Sequence, residues 1–171
     1  MSLHFSTQFF KMLLDALETD LDGYLGKDIK DICDTGYDAS NVNHCAHFVG
    51  HAMGIKTGLV CGSMKWETRG KGASLRVNEI YNAAKTRGTW SSKPMSMKLG
   101  LAYVTPSGNM NGDTMGQSSL KHVGVFIRES IWHYSNTGDK VVKHAPTAWH
   151  NLFKGAYGSS TQMYYSSLEI S

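Results

Sequence analysis

Two residue types carry most of the reactive chemistry in this chain. They are the thiols Cys33, Cys45 and Cys61 and eight histidines, three of which crowd the central cysteine at His44, His47 and His51. An odd number of cysteines leaves at least one thiol free unless it pairs between chains, and it excludes a disulfide framework. Cys45 stands in Asn43-His44-Cys45-Ala46-His47-Phe48-Val49-Gly50-His51-Ala52-Met53-Gly54. Asn43 suits a helix N-cap and Gly54 a C-terminal stop, so the segment reads as a short helix with the cysteine in its first turn. Unpaired N–H groups and the positive end of the helix dipole favour thiolate over thiol there. At about 100° per residue, Cys45, Phe48, Val49, Ala52 and Met53 share the inward side, with His44, His47 and His51 opposite. A nucleophile also needs an imidazole within reach. Without one, a buried cysteine is an inert core residue. Cys33 and Cys61 lack this context and read as core residues or as a pair with each other.

An imidazole stands downstream in Lys121-His122-Val123-Gly124-Val125-Phe126-Ile127-Arg128. Strand alternation puts His122, Gly124, Phe126 and Arg128 on one face, and Gly124 removes a side chain beside His122, which lets a helix approach. Metal chemistry is the rival use of the histidines. His47 and His51 are spaced i, i+4 with His44 one turn earlier, and such a pair can chelate zinc. No Glu completes the metalloprotease pattern His-Glu-x-x-His, and two or three histidines without carboxylate or thiolate ligands rarely close a shell. The expectation is a polar, lightly packed helix face and no metal. No glycine-rich loop with Lys-Ser/Thr supports nucleotide chemistry. Gly58–Gly72 and Pro106–Gly116 read as cleft walls, while Trp66, Trp90, Tyr103, Trp132 and Tyr134 offer core packing or aromatic contacts to a ligand.

The elements that must position these residues follow from periodicity. Phe9, Leu13, Leu14, Leu17 and Leu21 form a helical stripe from Phe5 to Leu21, with Ser6 or Thr7 as cap and Gly23 and Gly26 as stop. A helical turn is expected over 27–33, a polar loop over 34–43 and a further helix over 75–85. Strands are expected over 99–105, 122–128, 131–135, 140–144 and 163–170, with a helix over 148–157. Helices first and a meander afterwards predict an α+β domain, not alternating βαβ units. With 171 residues, one catalytic domain is expected: a helical part over 1–35, a Cys/His core over 40–145 and a final helix and strand over 146–171. Hydrophobic residues at 41% and charged residues at 18% exclude disorder, and no apolar run is long enough to span a membrane. A net charge of +3, with no basic block, gives no support for nucleic acid. Met1-Ser2-Leu3-His4-Phe5-Ser6 lacks the basic region of a secretory signal.

The stretches Asn43-His44-Cys45-Ala46-His47-Phe48-Val49 and His122-Val123-Gly124-Val125-Phe126-Ile127 together resemble the NlpC-like cell-wall peptidases of the papain-like superfamily, with CHAP-type amidases as cousins. The resemblance spans roughly residues 40–145. It departs at His44 before and Ala46-His47 after the cysteine, where the family carries Asp and Ser-Gly. It implies a papain-like fold, with N-terminal helices and the cysteine at a helix start packed on an antiparallel sheet. It also implies Cys45 as nucleophile, His122 as base and a third residue, His133, that orients the base. Tyr37 is the weaker match to a substrate-side tyrosine. The implied substrate is the peptidoglycan stem peptide, cut at an amide bond without cofactor or metal, at the bacterial cell wall in the periplasm or outside the cell. The export route is left open, as is any inhibitor or immunity protein.

Geometry complicates the third residue. A two-residue turn at Glu129-Ser130 places Phe126 opposite His133 and leaves about four residues, ~13 Å, between the two imidazoles. Twist, a bulge or a shifted register must close that gap. Asn136 falls nearer to His122 and is the alternative. Two other functions stay open. Asn43-His44-Cys45-x-His47-Phe48-Val49 is similar to the cysteine box of lecithin–retinol acyltransferase-type enzymes, with the His/Cys order reversed. A non-catalytic wall-binding domain would keep the same fold.

Overall fold

A computed structural model describes residues 2–170 of the chain and the side chains of residues 7–170. Four α-helices surround one six-stranded antiparallel sheet, an α+β architecture. The helices are α1 (Ser2–Asp22), α2 (Cys45–Met53), α3 (Val77–Ala83) and α4 (Pro146–Tyr157). The sheet contains β1 (Arg87–Thr89), β2 (Leu99–Pro106), β5 (His122–Ile127), β6 (Ser130–Ser135), β7 (Lys140–His144) and β8 (Thr161–Ser166). A separate two-stranded ribbon, β3 (Met110–Asn111) with β4 (Thr114–Met115), rises from the Pro106–Gly116 segment expected as a cleft wall. Strand order is β1-β8-β2-β5-β6-β7, so the last strand is inserted between β1 and β2 while β5, β6 and β7 form the expected meander. Among the described residues, no helix is long and apolar enough to cross a membrane.

Both faces of the sheet are covered. Val123, Val125 and Ile127 of β5 join Trp132 and Tyr134 of β6 in a core with Cys45, Phe48 and Val49 of α2 and Leu14 and Leu21 of α1. The alternate residues, Phe126 and Ile131 with Ala102 and Val104, pack on Trp149 and Phe153 of α4. This is the period-two partition of a strand buried on both sides. The edge strand β7 is masked by the segment after α1. Gly26 N–H donates to the Val141 carbonyl at 2.9 Å and Val141 N–H donates to the Lys27 carbonyl at 3.0 Å, which blunts an edge open to strand addition.

The stripe expected on α1 is only half used. Leu14 and Leu21 are buried, whereas Phe9 (70% exposed) and Leu13 (44%) stand off the core. The helix starts at Ser2, so Thr7 lies inside it and cannot be its cap; the side chains of Phe5 and Ser6 lie outside the described residues. Side chains of the C-terminal half of α1 are tied to the sheet. Arg128 reaches Asp15 at 2.7 Å and Glu18 at 2.6 Å, and Asp22 accepts hydrogen bonds from Trp132 Nε1 (2.9 Å) and Lys143 Nζ (3.1 Å).

The β5–β6 hairpin decides which residues meet. Ile127 pairs with Ser130, Phe126 with Ile131 and Val125 with Trp132. The two turn residues are therefore Arg128 and Glu129, not Glu129 and Ser130, with Arg128 at a left-handed φ of 53°. That change moves the register by two residues and brings Gly124 beside His133. A Cβ on Gly124 would stand 2.6 Å from Ile131 Cγ2, 2.8 Å from the Trp132 carbonyl oxygen and 3.1 Å from His133 Cβ. Gly124 thus makes room for the neighbouring strand and not, as expected, for an approaching helix. Gly124→Ala is expected to cost about 1–3 kcal/mol, because one of the clashing atoms is backbone. Urea unfolding of the variant measures this, and an unchanged midpoint would contradict the tight packing.

Candidate active site

Helix α2 begins at Cys45, with His44 and not the expected Asn43 at the N-cap position, and two asparagines hold its start. Asn43 Oδ1 accepts the Cys45 N–H at 2.9 Å, and Asn136 Oδ1 accepts the His44 N–H at 3.1 Å. Each satisfies a donor that the helix leaves without an internal partner. Gly54 closes the helix in the left-handed conformation. Asn136 is therefore occupied at the helix head and makes no hydrogen bond to His122. The Cys45 N–H, the donor that an oxyanion at the helix tip would use, is covered by Asn43.

Cys45 is 1% exposed and sits against the start of β5. Burial pushes its thiol up to about 11. The N–H groups of Val123 and Ala46, the Lys121 ammonium and its own N–H pull in the opposite direction without overcoming that. The expected thiolate is thus corrected to a neutral thiol, because desolvation outweighs the helix terminus. Beside the cysteine opens a cleft of about 340 Å³ whose walls include Asn43, Arg76, Asn78, Gln117, Ser119 and Lys121. Lys121 is held there by a hydrogen bond from Nζ to the Ser118 carbonyl. Lys121 and three amide side chains line the groove with Leu75 and Val77, while the Arg76 guanidinium is paired with Glu79 at 3.1 Å.

His122 and His133 are brought together. His122 Nε2 lies 3.0 Å from His133 Nδ1, and His133 Nε2 lies 3.0 Å from Nδ1 of a third imidazole, His144. The observed register makes His122 and His133 diagonal neighbours across the strand pair, within reach of long side chains. His122 stacks on Phe153 with centroids 4.5 Å apart, and Trp149 packs on both imidazoles. Burial, then the neighbouring His133, pushes His122 well below its ordinary value. His133 is pushed down to about 3 by burial and then by His144. Both rings are neutral at physiological pH. His144 escaped sequence reasoning, although the interval from 133 to 144 repeats the interval from 122 to 133.

No family model, characterised protein or solved structure matches this chain. The site therefore rests on its own geometry.

That geometry separates the two principal residues by the thickness of a strand. The His122 ring lies on the α4 face of β5, whereas α2 and Cys45 pack on the Val123 face. No hydrogen bond joins Cys45 to His122. The Val123 amide, next in the chain after His122, is the group that addresses the sulfur. The expectation that α2 approaches the His122/Gly124 face is corrected accordingly: α4 occupies it.

The other histidines of α2 are also not where expected. His44 and His47 are fully buried and His51 half-buried, so this side of the helix is packed and not solvated. His47 and His51 face Cys33 and Cys61, the thiolate-forming ligands whose apparent lack argued against a metal. Tyr37, expected on the substrate side, packs edge-on to His44 and His47 at 5.8 and 5.5 Å and borders the Cys33/Cys61 cluster instead of the cleft.

Proposed function

We propose that the chain is a cysteine hydrolase of papain-like, NlpC-type arrangement that cleaves amide bonds in peptidoglycan stem peptides. The observation that carries this reading is the placement of Cys45 at the head of α2, beside a cleft walled by Lys121, at the same end of β5 as the His122–His133 pair. The Lys121 ammonium on the wall of the cleft suits a carboxylate-bearing peptide. Because His133 holds Nε2 of His122, Nδ1 is the nitrogen left to exchange a proton with the thiol. With thiol and imidazole both neutral at rest, the proton leaves sulfur only as substrate binds. Sγ then attacks the carbonyl carbon and His122 takes the proton. The substrate oxygen displaces Asn43 Oδ1 from the Cys45 N–H and is stabilised there as it gains charge. The C–N bond breaks as His122 returns the proton to the leaving amine, and water hydrolyses the thioester. At rest β5 stands between the thiol and His122, so this reading requires substrate binding to bring the two groups to one face.

The missing Cys45–His122 hydrogen bond favours a second reading, a wall-binding domain without catalysis. Mass spectrometry of purified muropeptides incubated with the chain decides between them. Hydrolysis predicts products heavier in total by one water, with a new amine and a new carboxylate, and none from Cys45→Ala. Intact muropeptides retained by the folded protein would establish binding alone. Transfer of an acyl group from an ester donor without amide cleavage would establish the acyltransferase.

A further inference from the structure

We propose that Cys33, His47, His51 and Cys61 form a structural zinc site that fastens α2 to the two irregular segments beside it. Their ligand atoms all lie within 4.8 Å of one another. Cys33 follows the 3₁₀ turn Ile29–Asp31, Cys61 opens the 3₁₀ turn Cys61–Met64, and the two histidines are one helical turn apart on α2. A tetrahedral shell with Zn–S of ~2.3 Å and Zn–N of ~2.0–2.1 Å requires S···S near ~3.8 Å and S···N near ~3.6 Å. Cys33 Sγ and Cys61 Sγ are 3.7 Å apart, and Cys61 Sγ is 3.6 Å from His51 Nε2. The three cysteines are free thiols.

His47 supplies the independent sign of a ligand. Its ring is wholly buried, and among the described residues its Nε2 has no hydrogen-bond partner. The neighbouring ring explains which nitrogen is left. His44 Nε2, 3.0 Å from the Ala39 carbonyl, must donate to it. In a neutral His44 this leaves Nδ1 as an acceptor for His47 Nδ1–H at 3.2 Å. His47 Nε2 then carries a bare lone pair, the form in which a histidine binds metal. A buried lone pair without a partner is costly, and a metal bond removes that cost.

The surroundings also fit two thiolates. The Ala73 N–H donates to Cys61 Sγ at 3.2 Å, and the Thr35 hydroxyl lies 3.0 Å from Cys33 Sγ. Gly72, at φ +92°, passes so close that a Cβ would stand 2.2 Å from Cys61 Sγ. Two thiolates and Zn²⁺ sum to zero charge, as a buried site requires. Binding releases one proton from each cysteine. Four protein ligands close the shell, so the ion is structural and holds no position for substrate. The site does not depend on Cys45 being a nucleophile.

The test uses the full chain purified under reducing conditions, exposed to Zn²⁺ and dialysed. Metal analysis is expected to find one zinc per chain, equally in Cys45→Ser. Replacement by Co²⁺ is expected to give the visible bands of a tetrahedral ion and a sulfur-to-cobalt charge-transfer band. Cys61→Ser is expected to lose most of that charge transfer. If this variant fails to fold, alkylation mapping on the native wild type decides: Cys33 and Cys61 should resist iodoacetamide until a chelator is added. Chelation should lower Tm on the order of 10 °C. Wild-type protein that takes up no metal, or a Cys33–Cys61 disulfide in the reduced preparation, overturns the site. Loss of zinc in folded Cys45→Ser also overturns it, by moving the ion to the cleft.

Discussion

Replacing His122 by alanine is expected to lower kcat/KM for amide hydrolysis by ~10²–10⁴, the range that a positioned general base contributes. Two groups set this dependence. Cys45, held as a thiol by burial, has almost no thiolate of its own near neutral pH, so the reaction depends on a base that accepts the proton during attack. His122 is neutral and therefore able to accept it. His133→Asn should cost less, since it removes the partner that fixes the tautomer and leaves the base in place. The measurement is a rate on a defined stem peptide, with circular dichroism to show that each variant is folded. Wild-type rates in folded His122→Ala would remove the imidazole from the mechanism. They would leave the zinc site untouched.

Acid should loosen this fold well before carboxylates protonate. His133 has a folded value of about 3 against an unfolded value of ~6.5. Between those values the unfolded chain binds the extra proton, so stability is fully present above pH ~6.5 and falls as pH drops toward 3. By pH 5 the loss from His133 alone is about 2 kcal/mol, and His122, shifted in the same direction, adds to it. Urea unfolding at pH 7.5 and pH 5 measures the loss. His133→Asn should flatten the difference by about the His133 share. Equal pH dependence in variant and wild type would falsify the assignment of a buried neutral ring.

Much of this arrangement is legible in the residues. Asn43 and Gly54 mark the ends of α2, and alternation through His122-Val123-Gly124-Val125-Phe126-Ile127 marks β5. What is not legible are the events that depend on one residue more or less. Whether the hairpin turns at Arg128-Glu129 or at Glu129-Ser130 is settled by an αL arginine tied to Asp15 and Glu18, a contact more than a hundred residues away in sequence. The resulting register joins His122 to His133 and leaves Asn136 free to cap α2. Which face of β5 the cysteine helix covers depends on where α4 docks, and periodicity carries no such information. The Cys33/Cys61 pair is hidden for another reason. Cys33 follows one 3₁₀ turn and Cys61 opens another, both within irregular segments, 14 residues before His47 and 10 after His51. No repeating pattern announces that those segments fold back onto α2. The apolar stripe of α1 reads as buried because period alone does not report where the neighbouring sheet ends.

The position of β8 has a consequence for the order of assembly. It pairs with β2 over Leu101–Pro106 and with β1 over Arg87–Thr89, so it separates two strands that end 55 and 72 residues before it begins. During synthesis β2 can pair with β5 as soon as the meander emerges, but its other edge stays bare until residues 161–166 leave the ribosome. For that interval the chain carries an unpaired strand beside its reactive half, open to whatever extended segment it meets first. That exposure lasts until β8 has emerged and paired with both neighbours.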